Sequence, residues 1–134
     1  MNKAALMLSS LILLLMLSII SCSFGGSPTS TTHQPPITTS IWVANSGSNT
    51  VTRLRASDGR ILGTYAVGKF PLGTCSDGAN IWVTNNGDNT VTRLRANDGS
   101  LVGTYSVGSA PYGMCFDGAN IWVTNYVSNT VSKL

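Results

Sequence analysis

From Ile41 onward the sequence repeats itself with a period of 40 residues. The first copy covers residues 41–80 and the second covers residues 81–120, whereas the third covers only residues 121–134. A fixed period of this size is typical of one supersecondary unit stacked on copies of itself, because a single such unit cannot bury its apolar face alone. The period therefore predicts a repeat architecture, and the short third copy predicts that this architecture is incomplete in the chain.

Each copy consists of short β segments between turn residues, with no helical periodicity. In the second copy, the pattern predicts strands at residues 80–84, 90–95, 101–107 and 113–116. Asn-Gly and Asp-Gly turns separate these segments, and Gly108-Ser109-Ala110-Pro111 is expected to break the ladder because proline lacks an amide donor. Four strands in such a unit indicate an all-β fold of antiparallel β-propeller blades, with the small residues of the fourth strand nearest the central axis.

A longer motif relates these blades to a known family. Pro-x-Gly-x-Cys-x-Asp-Gly-x-Asn-Ile-Trp-Val-Thr-Asn occurs at residues 71–85 and again at residues 111–125. It resembles the YVTN-type β-propeller repeat, although Trp82 and Trp122 replace the Tyr of the named tetrapeptide and Ala44 replaces its Thr in the first copy. The resemblance covers all of the repeats and implies the propeller fold, but it says little about function because propellers host many unrelated activities.

In that family a blade begins at its inner strand, which sets the blade boundaries in this chain. The resemblance implies a partial blade from Ile41, a full blade over residues 71–108 and a partial blade from Pro111. Closed propellers need about four to eight blades, and this chain has about two and a third. We therefore expect either a truncated or split gene product, or several copies that assemble into one ring.

The first 40 residues differ from the repeats in composition. Lys3 precedes an apolar run over residues 4–20, which is the layout of a secretory signal. The Ile-Ile-Ser-Cys sequence that ends at Cys22 resembles the lipobox of bacterial lipoproteins, whose cysteine is lipidated after cleavage. The resemblance implies a signal peptide, with a signal helix, at residues 1–21, and acyl chains such as palmitate at Cys22 that hold the protein on a membrane. An uncleaved membrane anchor and a secreted protein with an unrelated cysteine are the alternatives.

Residues 22–40 are rich in Ser, Thr, Pro and Gly and contain no Asp, Glu, Lys or Arg. This composition predicts a disordered tether between the anchor and the repeats at residues 41–134. The expected location is the bacterial cell membrane or outer membrane, with the repeats facing the periplasm or the exterior.

Charge and cysteine content exclude some classes of function. The formal charge is +3, and loss of Lys3 with the signal peptide leaves +2, which is too small to indicate a nucleic-acid-binding protein. Cys75 and Cys115 occupy the same position in successive copies. Equivalent positions of neighbouring units usually lie farther apart than the roughly 7 Å between Cα atoms that a disulfide tolerates. We expect two small buried thiols instead.

Several repeated side chains are candidates for a site, but each has a structural explanation. Trp42, Trp82 and Trp122 could form an aromatic ring for sugars or cations, although packing wedges between blades are expected. Asp77 and Asp117 could bind a metal, although caps of Asp-Gly turns are expected. Turn or loop bonding is likewise expected for Asn45, Asn49, Asn85, Asn89, Asn125, Asn129, Asp58 and Asp98.

A basic pattern is the main candidate for a binding surface. Arg53 and Arg55 share one face of a predicted strand, and Arg93 and Arg95 repeat this arrangement in the next copy. Four guanidinium groups could form a weak binding surface for an anionic polymer such as lipopolysaccharide or teichoic acid. A solvated face with Asp58 and Asp98 as nearby counter-charges is expected instead.

Catalytic residues are scarce in the sequence. His33 in the tether is the single histidine, and the chain contains no Glu, so no His-based triad can be assembled in the repeats. Streptogramin-lyase-like propellers use a histidine and acidic residues around a metal, which these repeats cannot match. We therefore expect no enzyme activity, no cofactor and no metal.

The sequence thus predicts an envelope-anchored propeller module with a binding or scaffolding role, as a fragment of a larger propeller. Its partners are the membrane, through the lipid anchor, and a protein or polysaccharide ligand, with no nucleic acid and with self-association through open blade edges. The alternative is a fragment of a propeller enzyme whose catalytic residues lie in other blades.

Overall fold

The computed structural model describes residues 39–134, which form ten β-strands in three antiparallel sheets. The first sheet contains β1 (Ser40–Asn45), β2 (Thr50–Arg55) and β3 (Ile61–Ala66), the second contains β4 (Pro71–Ser76), β5 (Asn80–Asn85), β6 (Thr90–Arg95) and β7 (Leu101–Ser106), and the third contains β8 (Pro111–Phe116), β9 (Ile121–Asn125) and β10 (Thr130–Lys133). Within each sheet, every strand pairs with its neighbours in the sequence.

The N-terminal predictions concern a different part of the chain. The signal peptide, Cys22, His33 and all but the end of the tether lie outside the described residues. Within residues 39–134, no helix has the length and hydropathy that a bilayer crossing requires.

The second sheet is a complete four-stranded blade. Its strands β5, β6 and β7, together with β8 of the third sheet, confirm the four strands predicted for the second copy. Its order is β4-β5-β6-β7, so the chain crosses the sheet in sequence from one edge to the other. The first sheet has three strands, which correspond to the last three of the complete blade, and the third sheet has three, which correspond to its first three. The structure therefore confirms that the second and third sheets each begin at the strand that starts with proline.

The break predicted at residues 108–111 is confirmed for residues 108–110, which link β7 to β8, but the break ends before Pro111. Pro111 is the first residue of β8 and pairs with Asn125 of β9, and Pro71 pairs with Asn85 in the same way. Proline is tolerated at the first position of a strand because its missing amide interrupts little of the ladder. The register then shifts between Pro111 and Met114, as expected for a β-bulge.

Tight turns at the predicted Asn and Asp-Gly positions produce the hairpins. Asn49, Asn89 and Asn129 have φ between 53° and 57°, and Gly59 and Gly99 have φ of 72° and 74°. Asn and Gly accept this left-handed conformation at low cost. The repeated turn residues therefore keep the register between strands the same from sheet to sheet.

The inner strands β4 and β8 approach each other closely, as the small residues of this segment predict. A Cβ atom on Gly73 of β4 would lie 2.8 Å from the carbonyl oxygen of Tyr112 in β8. A larger residue would therefore push the two strands apart. Glycine at this position lets neighbouring blades converge.

Two apolar layers between the sheets form the core. Val51 of the first sheet packs in one layer with Ile81, Val83 and Leu94 of the second. The other layer contains Cys75, Trp82 and Val91 of the second sheet with Ile121 and Val123 of the third. Each sheet buries its apolar side chains against the next sheet, which is the packing that defines stacked propeller blades.

Candidate binding face

The connections of the three sheets lie at two opposite ends of the strands, because consecutive strands are antiparallel. One end contains the hairpins at residues 45–50, 85–90 and 125–130 together with the links between sheets at residues 67–70 and 107–110. The backbone amide of Asn86 donates to the carbonyl of Phe70 (3.1 Å), and the amide of Tyr126 donates to that of Ala110 (3.0 Å). These bonds join hairpins and links into one continuous rim, which we call the crossover face.

Large apolar side chains are exposed on the crossover face and at Tyr112, the second residue of β8, which directly follows one of its links. Phe70 and Tyr112 are more than half exposed, Tyr126 is 77% exposed and Val127 is 64% exposed. The amide nitrogen of Val127 donates to the carbonyl of Ser109 (3.2 Å), so the Tyr126-Val127 tip lies beside the link that leads into β8. Exposed aromatic side chains on rigidly held loops are typical of protein interfaces.

Backbone geometry fixes the position of Phe70. Its φ of 53° lies in the left-handed region, which costs a side-chain-bearing residue on the order of 1–3 kcal/mol. The side-chain oxygen of Asn49 accepts the Phe70 amide at 2.9 Å, and Asn89 accepts the Ala110 amide at 2.8 Å at the equivalent link. The asparagines of the preceding sheet therefore hold each link in place.

The crossover-face residues were not among the candidates from the sequence, but a signal for them exists. Phe70 aligns with Ala110, Tyr112 aligns with Leu72, and Tyr126-Val127 aligns with Asn86-Gly87. At each of these positions a larger or more apolar residue replaces its counterpart in another copy. Departures from the repeat, rather than its regular positions, identify this face.

Trp42 and Trp82 are packing wedges between sheets, as predicted. Trp82 is buried among side chains of the second and third sheets, and Trp42 packs against the core layer between the first and second sheets. The Trp82 ring contacts Tyr105, with ring centroids 5.5 Å apart, and the Trp42 ring contacts Tyr65, with centroids 5.4 Å apart. Trp122 is more exposed than Trp82, because no further sheet covers it among the described residues.

Asp77 and Asp117 cap turns, and each also anchors a tryptophan. Oδ1 of Asp77 accepts the backbone amides of Ala79 (2.9 Å) and Asn80 (2.6 Å), while Oδ2 accepts the Trp82 indole N–H at 2.8 Å. Asp117 accepts the Trp122 indole N–H at 2.6 Å in the same way. The Asp-Gly turn and the packing tryptophan of a blade are therefore one hydrogen-bonded unit.

These hydrogen bonds keep both carboxylates ionised. Burial raises the pKa of Asp77, but hydrogen bonds from Trp82, Asn80 and Ala79 outweigh it and leave the pKa below its ordinary value. The Trp122 indole and the adjacent amides hold the pKa of Asp117 well below its usual range. Neither group is therefore suited to donate a proton near neutral pH.

The other acidic residues also bond turns. Asp58 accepts the Arg60 amide (3.1 Å), Asp98 accepts the Ser100 amide (2.9 Å), and Asp88 accepts the Lys69 amide (2.6 Å). Hydrogen bonding to Ser100 lowers the pKa of Asp98. Within residues 39–134, no group of three or more His, Cys, Asp or Glu side chains is placed to hold a metal ion.

The arginines do not form one free basic surface. The guanidinium carbons of Arg53 and Arg93 lie 5.7 and 4.9 Å from the ring centroids of Trp42 and Trp82, which indicates cation–π contacts. Lys133 takes the same place over Trp122, at 5.4 Å, so the third copy keeps the cation although it changes the residue.

The arginine side chains also differ in their other contacts. Arg53 Nη1 donates to the carbonyl of Asn97 in the next sheet, and Arg55 pairs with Asp58 at 3.1 Å. Arg95 is exposed. Binding of an anionic polymer by these side chains stays a prediction.

The two repeat cysteines differ in exposure, which partly contradicts the expectation of two buried thiols. Both are thiols, and Cys75 is buried between the second and third sheets as predicted. Cys115 is exposed, because the face of the third sheet on which it lies is uncovered among residues 39–134. Its burial would require a neighbouring sheet.

Comparisons with known proteins bear on the fold. No protein-family model matches the chain, and no curated protein matches its sequence. The chain is similar in structure to streptogramin B lyase (TM-score 0.59, 21% identity, covering 73% of this chain and 37% of that chain) and to BamB from Moraxella catarrhalis (TM-score 0.60, 14% identity, covering 70% and 28%). It is also similar to the dihydro-heme d1 dehydrogenase NirN (TM-score 0.63, 18% identity, covering 81% and 24%).

These neighbours agree with the packing of the three sheets. They are β-propeller proteins, and this chain spans 24–37% of the length of the three named. Identities of this size show the fold alone. The sheet order, the repeated inter-sheet packing and the structural neighbours together show that the described part of this chain is an incomplete β-propeller.

Proposed function

We propose that this chain is an envelope-anchored propeller module of the YVTN type, which binds a protein partner through its crossover face and acts as a scaffold. The observation that supports this role most directly is the exposure of Phe70, Tyr126 and Val127 on one rim, with exposed Tyr112 at the start of β8 next to it. The sheets beneath them repeat almost unchanged, whereas these loop positions vary between copies. A constant sheet framework with variable loops is a common basis for binding sites.

The chemistry of the rim favours a protein over an anionic polymer. Lys69 and Asp88 lie at the rim with opposite charges, and a carboxylate oxygen of Asp88 already bonds the Lys69 amide. The rim therefore offers aromatic surface without a concentration of positive charge. Buried aromatic side chains contribute most of the binding free energy in many protein interfaces.

A binding role also fits the use of the acidic side chains. The five Asp residues of the chain all accept backbone amides in turns or links, and the chain has no Glu. Carboxylates held in this way stabilise loops instead of reacting with a substrate. We therefore propose that the repeats themselves are not catalytic.

Site-specific photo-crosslinking in intact cells tests the binding face. We expect a photo-reactive phenylalanine analogue at Tyr112 to give discrete protein adducts. The same analogue at Leu101, which is also well exposed but begins the outer strand of the second sheet, is expected to give none. A matched variant, Tyr126→Asn with Val127→Gly, restores the loop of the second copy and is expected to reduce the Tyr112 adducts severalfold.

Other adduct patterns would contradict this role. Equal adducts from Tyr112 and Leu101, or none from either position, would argue against a binding face on this rim. Diffuse adducts that resist protease would identify a polysaccharide as the ligand and overturn the protein partner.

The lipid anchor is a separate proposal with its own test. We expect Cys22→Ser to move the protein from the membrane fraction to the soluble fraction and to abolish incorporation of labelled palmitate, because the thiol is the group that carries the lipid. Ser21→Ala leaves the cysteine and keeps a small residue before it, so this control should remain on the membrane. An unchanged distribution of the Cys22→Ser protein would instead indicate an uncleaved membrane anchor.

A further inference from the structure

The chain contains the same inter-sheet interface twice. In the first sheet Trp42 and Val51 form what we call the Trp face, and the corresponding residues are Trp82 and Val91 in the second sheet and Trp122 and Val131 in the third. The opposite side of each sheet, the Ile face, contains Ile41 and Val43 in the first sheet, Ile81 and Val83 in the second, and Ile121 and Val123 in the third.

Each internal interface joins a Trp face to an Ile face. The Trp face of the first sheet packs on the Ile face of the second, and the Trp face of the second packs on the Ile face of the third. Val51, Val91, Val83 and Val123 are fully buried as a result. The two interfaces use the same positions of the repeat, so the complementarity belongs to the repeat and not to one pair of sheets.

One face of each kind is uncovered within residues 39–134. On the Trp face of the third sheet, Trp122 is 38% exposed and Val131 is 62% exposed. On the Ile face of the first sheet, Ile41 is 41% exposed and Val43 is 37% exposed. These two uncovered surfaces are therefore one Trp face and one Ile face, the same kinds of surface that pack together in both internal interfaces.

We propose that a second copy of this chain covers them, with the Trp face of the third sheet of one copy packed on the Ile face of the first sheet of the other. The docking surfaces use the Trp, Val and Ile positions of the two internal interfaces. Among the described residues, however, the third sheet lacks the strand that provides Tyr105 in the second, and the first sheet lacks the strand that provides Met114 in the third. A packing of two Trp faces has no precedent in the structure. The inference is independent of the proposed binding role, because it concerns the faces of the sheets and not the crossover face.

A polar contact supports the same head-to-tail orientation. Arg53 covers Trp42 and donates to the carbonyl of Asn97, which lies in the turn between the third and fourth strands of the next sheet. Lys133 covers Trp122 in the third sheet. The residue of the first sheet that aligns with Asn97 is Ser57, so the Lys133 ammonium of one copy can donate to the Ser57 carbonyl of the other.

The number of blades in a closed propeller favours a ring of two copies. Head-to-tail interfaces form a closed ring when the rotation between units permits it. Residues 39–134 of one chain provide three sheets, and closed propellers contain about four to eight. Two copies give six sheets, whereas three copies would exceed that range, so we expect a closed dimer in which both uncovered faces of each copy are buried.

Native mass spectrometry of the full chain released from detergent micelles counts the copies. We expect two chains for the natural sequence and one chain for Val131→Arg and for Val43→Lys. Each substitution would place a charge in an apolar interface and weaken the dimer about a hundredfold or more. Because Val131 and Val43 are exposed within one chain, both variants should fold, and their near-ultraviolet circular dichroism spectra should match that of the natural sequence. Leu101→Arg, at an exposed position outside both faces, should remain a dimer.

Mixing the two monomeric variants tests the orientation. Val43→Lys retains an intact Trp face and Val131→Arg retains an intact Ile face, so a mixture should form a heterodimer through the one unaltered interface. A natural chain that is monomeric at tens of micromolar would overturn the inference, as would dimers of Val43→Lys alone. Higher aggregates that neither substitution changes would point to association through strand edges and would also contradict it.

Discussion

Replacement of Trp82 by Ala is expected to lower the free energy of unfolding by about 3–5 kcal/mol, the usual cost of truncating a buried tryptophan. Trp82 packs between the second and third sheets and contacts the Tyr105 ring. Its indole N–H also donates to Asp77, and the Arg93 guanidinium covers its ring. The substitution leaves a cavity, frees a carboxylate oxygen and removes the surface on which the arginine lies.

Trp122→Ala is the comparison, because Trp122 keeps the carboxylate and cation partners but, among the described residues, has neither the tyrosine contact of Trp82 nor a following sheet. It donates to Asp117 and lies under Lys133, yet it is 38% exposed. We expect less than half the loss found for Trp82→Ala, measured by urea unfolding at concentrations where the chain is monomeric. Should Trp82→Ala fail to fold, Trp82→Phe and Trp122→Phe provide the same comparison. Equal losses would mean that the tryptophan stabilises its own hairpin and not the contact between sheets.

The framework of the fold could be predicted from the sequence because its determinants are local. Turn residues such as Asn89 and Gly99 accept the required positive φ wherever they occur, and the alternating strands around them follow from periodicity. The packing role of Trp82 was predictable for the same reason, since an apolar residue repeated in every copy has a repeated neighbour. Pro111 shows the limit of this reasoning, because the position of a β-bulge depends on the pairing of two strands.

Exposure could not be predicted from a residue and its flanking sequence. Cys75 and Cys115 have the same flanking motif, yet one is buried and the other is exposed. The difference arises from the neighbouring sheet, which covers the second sheet and is absent from the third within residues 39–134. The candidate binding face was missed for a related reason. Attention to repeated residues overlooks Phe70 and Tyr126, which matter because they depart from the repeat.

The arginine pattern is visible in the sequence, but the contacts that each arginine makes could not be predicted from it. Alternation along a strand places Arg53 and Arg55 on one side, as the sequence indicates. The structure adds that Arg53 covers a tryptophan and bonds the next sheet, while Arg55 pairs with Asp58 in its own hairpin. Such differences depend on which turn of the following sheet lies within reach, and this distance is set by the packing of whole sheets.

A second large effect is expected for Asn85→Ala, at a fully buried asparagine that joins two sheets. Its side-chain amide donates to the hydroxyls of Thr90 (3.0 Å) and Thr92 (2.8 Å), and its side-chain oxygen accepts the amide of Gly68 (3.1 Å). Each buried polar group left without a partner costs about 1–3 kcal/mol. We therefore expect urea unfolding to show a loss of about 2–4 kcal/mol for this one substitution.

Asn125→Ala separates the contribution of the link between sheets from that of the hairpin. Asn125 is also buried and donates to Thr130 (3.1 Å) and Ser132 (2.9 Å), but its side-chain oxygen has no hydrogen-bond partner among the described residues. The amide of Gly108, which corresponds to Gly68, donates to Ser132 instead. Asn125→Ala should therefore lower the free energy of unfolding by less than Asn85→Ala does. The expected difference is about 1–3 kcal/mol, the penalty for leaving one buried amide without a partner. Equal losses for the two variants would show that the bonds within the hairpin account for the whole effect and that the Gly68 contact adds nothing to the stability of the stacked sheets.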